Sequence, residues 1–448
     1  MGLKNFSLYL SNPLMSAKTP NEHFMANSNF SSSEVIDLMK ACKTEDAFRQ
    51  IVPHVHNDIQ AQALFCQLLR SSQNIFLIME SFKDFVEKYA LEGNPWMQYL
   101  WARYHDCVNP DSDSIQIAEE YYNKAIEAGI SDARMFLAYC WRDGDFGMVD
   151  RSRYIRERER AVREDSHAAV QQQLRDICYG NGGYEADPDK AFRMLSKFIQ
   201  ESNDQNYYID PRYYTLYGDI LEALGEKEKS VVCYNHALDQ GDKGAFFNLM
   251  VSSYMDEHYK LKNSDESQEF MQRGQNLLCG DAFMSIQWAV DPEYWDDYGE
   301  ELQATITDSL KNDLEIAHRL GAKLAEYSMG CHYYYGDCGF EQDNEQAFSW
   351  FAKGALRRCA SCYSMIVTMF DEGINPDRYG EDFKYEAMIR SLRFGNEDML
   401  PRVVEAYQNG RFTEYAAEIE QYYLPKYQDS DITDDELPDD DGRFDAWA

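Results

Sequence analysis

A helix-ending signal recurs along the chain at Asn57, Gly93, Gly129, Asp165, Asn203, Gly241, Gly280, Gly321, Arg358 and Gly395, at spacings of 36 to 41 residues. Fifteen positions after five of these markers stands a further glycine: Gly144, Gly180, Gly336, Gly373 and Gly410. A fixed period of this size calls for a stacked array of supersecondary units and argues against one compact enzyme domain.

Within the period, the side chain four residues past the marker is usually small: Ala61, Ala133, Ala169, Ala245, Ala325 and Cys362, with Met97, Tyr207, Met284 and Met399 as exceptions. Eight residues past it an apolar group usually stands: Phe65, Trp101, Leu137, Leu249, Trp288, Met329, Ile366 and Val403. Both positions fall on one face of a helix, which predicts a buried stripe. Four residues before the marker, small residues recur at Ala125, Ala161, Ala237, Ala317, Gly354 and Ser391. Small side chains in both helices let their axes approach closely while large aromatics fill the space alongside. Each unit therefore reads as two antiparallel helices joined by short turns. The later glycines fit the left-handed position where a helix stops. None lies in the strand–loop–helix context that a phosphate cradle needs.

Two places break the pattern. Gln173 and Pro211 replace the apolar residue eight past the marker, and Ser202 to Asp210 reads as an insertion. That insertion puts Asp210 at an N-cap and Pro211 at the first helical position. The unit from Gly280 is also long, with a loop from Asp291–Pro292 to Gly299.

The segment from Ala322 to Gly336, with Ala325 and Gly330 within it, is followed by Asp343, Ala347, Trp350 and Lys353. Together with Ala118 to Ala133 and with Tyr179–Gly180 followed by Asp187, Lys190, Ala191 and Phe192, it resembles the Sel1-like repeat family, relatives of the tetratricopeptide repeats. The resemblance is good over residues 93–200 and 313–410 and degenerate elsewhere. It implies an all-α, right-handed α-solenoid of about ten helix-turn-helix repeats with a scaffold or adaptor role in protein–protein interaction. It brings no catalytic residues.

Charge narrows the partners. The 448 residues carry a formal net charge of −35, so bare nucleic acid and an anionic membrane surface are disfavoured and a basic protein or peptide is favoured. Solubility alone is the competing explanation of that charge. Eleven cysteines without paired spacing suit buried thiols in a reducing compartment. Cys359 and Cys362 form a lone C-x-x-C in which Cys362 already fills a small core position, and His54 with His56 is too sparse a pair for a metal site. No metal and no cofactor is expected. Signal-peptide, myristoylation and membrane-spanning patterns do not stand out, which points to a cytoplasmic protein.

The expected organisation is a mobile or loosely packed arm over 1–32, capping helices over 33–56, the repeat array over 57–427 and an acidic disordered tail over 428–448. The tail ends in Gly442 to Ala448, where Phe444 and Trp447 have the form of a short docking motif or of an idle terminus. Against the acidic background, Arg151, Arg153, Arg156, Arg158, Arg160 and Arg163 make a basic patch. It reads as a solvated helix laced with ion pairs such as Arg153–Glu157 and Glu159–Arg163, or as a receiver for an acidic segment. Helical phase places Arg103, Tyr139, Asn248, Gln287, Thr368 and Arg402 on the first-helix face, off the buried stripe, as candidate partner-binding residues of a concave surface. No sequence signature of a hydrolase, P-loop or dinucleotide fold occurs. The expected function is a non-catalytic interaction scaffold. An acidic antagonist or immunity-type protein masking a basic toxin or nucleic-acid-binding protein, and a regulatory subunit or spacer, are the alternatives.

Overall fold

The computed structural model describes residues 30–429, apart from 108–111, 205–208, 257–260, 263, 291–294, 296, 323 and 375–379. The expected arm falls almost wholly outside the described residues, as do Tyr207, the Asp291–Pro292 turn and the acidic tail with its terminal motif. The fold is all-α, an α-solenoid of stacked helical hairpins. Among the described residues no strand occurs beyond an isolated bridge between Met255 and Leu261.

The chain divides into two compact units, Met1–Arg142 with Asp150–Ala289, and Asp143–Val149 with Val290–Ala448. The first unit opens with α1 (Ser32–Lys40) and α2 (Thr44–Ile51). α3 (Ile59–Leu68) packs on these two, and α4 (Ser72–Leu91) on α2 and on α5 (Pro95–Cys107). Hairpins follow: α5 with α6 (Ser112–Glu127), α7 (Ser131–Asp143) with α8 (Arg151–Arg163) and α9 (His167–Tyr179) with α10 (Pro188–Asp204). Then come α11 (Arg212–Ala223) with α12 (Lys227–Asp239), α13 (Gly244–Leu249) with α14 (Asp265–Asn276), and the short α15 (Ser285–Ala289). The second unit holds α16 (Glu300–Arg319), α17 (Ala325–Tyr335), α18 (Asn344–Leu356), α19 (Ala360–Asp371), α20 (Glu381–Arg393) and α21 (Met399–Gln408).

The period is written into the backbone. Gly93, Gly129, Gly241, Gly321 and Gly395 all have positive φ, and so do two markers that are not glycine, Asp165 at 60° and Arg358 at 61°. The five later glycines share the left-handed region. Three markers depart: α2 already ends at Ile51, ahead of Asn57, α10 runs through Asn203 to Asp204, and the left-handed residue ending α14 is Leu278 instead of Gly280. At the insertion, α11 begins at Arg212, whose N–H donates to the Asp210 carboxylate at 3.0 Å.

The packing rule also holds. Ala61, Ala133, Ala169, Ala245, Ala325 and Cys362 are fully buried, as are Ala125, Ala161, Ala237, Ala317 and Ser391 across from them. At two glycines inside helices an aromatic ring takes the vacated volume: a Cβ on Gly330 would collide with Phe351, and one on Gly218 with Tyr234. Two fully buried rows of small residues thus set the distance between paired helices, and the rings lock it.

In the second unit, the Asp143–Val149 loop is held by ion pairs. Arg358 reaches Asp143 and lies 2.8 Å from Asp145, while Arg393 binds Glu418 at 2.6 Å. The Val149 N–H donates to the same Glu418 carboxylate at 3.3 Å. The left-handed backbone of Arg358 belongs to the turn that ends α18, where its own N–H donates to the Ala355 carbonyl at 2.9 Å and the Cys359 N–H to the Gly354 carbonyl at 3.1 Å.

Candidate interaction face

The first helices of successive repeats in the first unit are tied by a ladder of side chains. The position ten past the marker in one repeat reaches the position seven past it in the next, because the helices are parallel neighbours and corresponding faces advance in step. Arg103 in α5 stacks on the Phe136 ring of α7, with 3.7 Å between guanidinium carbon and ring centre. Tyr139 in α7 donates its hydroxyl to Gln172 of α9 at 3.1 Å. Asp219 in α11 accepts from Asn248 of α13 at 2.8 Å and from the Tyr234 hydroxyl at 3.0 Å. Arg175 of α9 closes the row on the other Asp219 oxygen at 3.3 Å. Burial pushes the Asp219 carboxyl above its usual range, partly offset by the Arg175 charge and the Tyr234 hydrogen bond.

The opposite ends of the same helices are closed. Arg70, at the end of α3, donates to Gln171 at 2.8 Å and Asp210 at 3.1 Å and sits 3.5 Å from Asp132, so one buried guanidinium joins α3 to α7, α9 and the start of α11. Burial alone would raise the Asp132 carboxyl. The Arg70 charge and the Ser166 hydroxyl outweigh it and hold the group below its usual range. Arg212 adds a bond to the Gln67 carbonyl at 2.9 Å, and Lys243 one to the Lys40 carbonyl at 2.8 Å. An accessible stretch lies at the C-terminal ends of α9 and α11 and the π-helical segment Met250–Tyr254 after α13. Tyr179 is 51% exposed there, and Glu222, also exposed, accepts from Ser252.

The six residues chosen by phase therefore have different fates. Arg103 is interior: its Nε donates to the Leu69 carbonyl at 3.2 Å and its Nη1 to Asp106 at 2.8 Å, so it offers no surface to a partner. Tyr139 and Asn248 are half-buried ladder members, and Gln287 is half-buried on α15. In the second unit Thr368 bonds back to the Ser364 carbonyl of its own helix at 3.3 Å. Arg402 pairs with Asp371, which Lys384 also contacts. The residues that phase alone missed are Gln172, Arg175, Asp219 and Glu222. Counting seven and ten from Asp165 finds the first two, whereas the insertion before Pro211 displaces the count for the others.

The arginine run forms α8 and divides the same way. Arg151, Arg156, Arg160 and Arg163 are exposed. Arg153 stacks on Trp141 at 3.6 Å, and Arg158 is fully buried, bound to Asp176 and to the Gly182 carbonyl at 3.3 Å. Glu157 pairs with Arg134 at 2.9 Å and Arg160 at 3.1 Å instead of with Arg153, whose side chain is taken by the Trp141 ring. Cys362 is fully buried against Gly354, and His56 meets Asn94 at 3.0 Å. Among the described residues, no helix is long and apolar enough to cross a membrane.

A family model described as Sel1 repeat matches residues 107–130, 177–203 and 323–358. Among solved structures, the chain is similar to a Sel1 repeat protein from Oxalobacter formigenes, at 17% identity over 74% of this chain and 93% of that one, with a TM-score of 0.34. It is also similar to c5321, a protective antigen of uropathogenic Escherichia coli strains displaying an SLR fold. That likeness is at 13% identity over 90% and 98% of the two chains, with a TM-score of 0.24. No curated protein sequence matches the chain.

Proposed function

The chain carries Sel1 repeats, and from that premise we propose that it is a non-catalytic interaction scaffold that captures a basic segment of a partner protein. The binding surface in this reading is the open end of the first-helix row: Tyr179, Arg175, Asp219, Glu222 and Asn248. The observation that carries it is the asymmetry of these helices. Their N-terminal halves are sealed by Arg70, while their C-terminal ends keep acidic and aromatic groups accessible. An exposed tyrosine beside carboxylates supplies apolar area and charge together, which suits an extended basic peptide. The net charge of −35 steers such a partner from a distance. The acidic groups of the row are engaged in hydrogen bonds between helices, which supports structure and recognition over acid–base chemistry. A cytoplasmic setting fits the eleven free cysteines.

A photoreactive residue placed at Tyr179 or Glu222, with controls at the exposed Glu228 of α12 and Lys190 of α10, tests the reading in native lysate. The first two positions should crosslink the same protein and the controls should not. Capture by the controls alone would move the binding surface to the second helices. A partner lost steeply with salt from both faces would favour the acidic antagonist instead.

A further inference from the structure

The last turn of α17 and the loop after it bring together three side chains of different chemistry. We propose that His332, Asp337 and Cys338 form a binding site for one divalent transition metal of the zinc type. One ligand atom from each residue, an imidazole nitrogen, a carboxylate oxygen and the thiol sulfur, lies within 4.8 Å of the other two. This donor set is the borderline-soft mixture that zinc and cobalt select, unlike the all-oxygen sets of magnesium and calcium.

The backbone is arranged to make the cluster. Gly336 stops α17 in the left-handed conformation, so the chain doubles back and sets Asp337 against the His332 Nδ1. Cys338 itself has a φ of 50°, uncommon for a residue with a side chain. It is held there because Thr307 of α16 donates to its carbonyl at 2.8 Å, and the Phe340 N–H donates to the Asp337 carbonyl at 2.9 Å. Phe340 stacks on the His332 ring, 4.8 Å between centres and 19° from parallel, and fixes the imidazole plane. His332 and Cys338 are 4% and 2% exposed, whereas the Asp337 side chain keeps 27% of its surface open. Metal would enter on the Asp337 side. A neutral imidazole, a carboxylate and a thiolate together balance the charge of a divalent ion, and binding releases the thiol proton. Three protein ligands leave the fourth tetrahedral position to water.

Metal-stripped, reduced full-length protein titrated with cobalt(II) gives the test. One equivalent should develop the thiolate-to-cobalt charge-transfer band and tetrahedral visible bands, and zinc should abolish both. His332→Ala and Cys338→Ser should each weaken binding by more than the roughly 10–100-fold that loss of an outer-shell partner costs. Cys359→Ser/Cys362→Ser should leave it unchanged. Should either ligand variant fail to fold, zinc-edge absorption of the wild-type protein remains decisive. It should report one sulfur at ~2.3 Å, the remaining ligands being nitrogen and oxygen. Two sulfurs, no saturable binding, or a band that survives Cys338→Ser and vanishes in the Cys359/Cys362 variant would overturn the proposal.

Discussion

Asp165, with a φ of 60°, occupies a position where five other repeats place a glycine of positive φ. Its carboxyl is buried, one oxygen has no hydrogen-bond partner among the described residues, and burial pushes its pKa up to about 6. Asp165→Gly should therefore stabilise the protein at pH 7.5 by about 1 kcal/mol, the scale of a left-handed residue with a Cβ, as read by urea unfolding. The pH dependence has a definite sign. The folded-state pKa lies above the unfolded one, so the wild type gains stability as pH falls through about 6 toward 4. The advantage of the glycine variant should shrink over that window. Arg158 presents the opposite case. Truncation to alanine strands the Asp176 carboxylate and should cost about 3–5 kcal/mol in the same assay, while Arg158→Met with Asp176→Leu should recover much of the loss. The glycine markers are legible from sequence because only a missing Cβ explains their recurrence. Helical phase separates Arg158 from the exposed arginines around it, since it stands on the buried face of α8 with Tyr154 and Ala161; what phase does not supply is its partner, a carboxylate from the next hairpin.

Between paired helices, the governing quantity is the volume left by small side chains. Gly330→Ala puts a methyl group into the Phe351 ring and should cost about 1–3 kcal/mol, with Phe351→Leu restoring part of it in the double variant. Thermal unfolding of the three variants measures both effects. The small stripes four residues either side of the marker are readable because helical phase repeats them in most units. The insertion before Pro211 and the shift of the helix end from Gly280 to Leu278 are not placed to the residue by counting, because one displaced turn moves every count after it. The Asp143–Val149 loop is unreadable for a different reason. Its fixation on Arg358, Arg393 and Glu418 joins residues more than two hundred positions apart, and no period links them.

At the scale of the whole chain, charge dominates. A net −35 repels itself, so the melting temperature should rise as sodium chloride is raised from low to physiological concentration. A fall over that range would mean that the ion pairs outweigh the repulsion. The same field makes a basic partner the expected one, yet it assigns no face; that choice rests on the open end of the first-helix row. The most direct measurement is capture from native lysate at low and high salt. It compares full-length protein, the 1–427 truncation, Tyr179→Ala/Glu222→Lys and the second-helix control Glu228→Lys. One partner should be retained by the truncation and the control, weakened by salt, and lost by at least about tenfold from the row variant, or ~1.4 kcal/mol. Undiminished capture by the row variant, or loss on truncation alone, would contradict it.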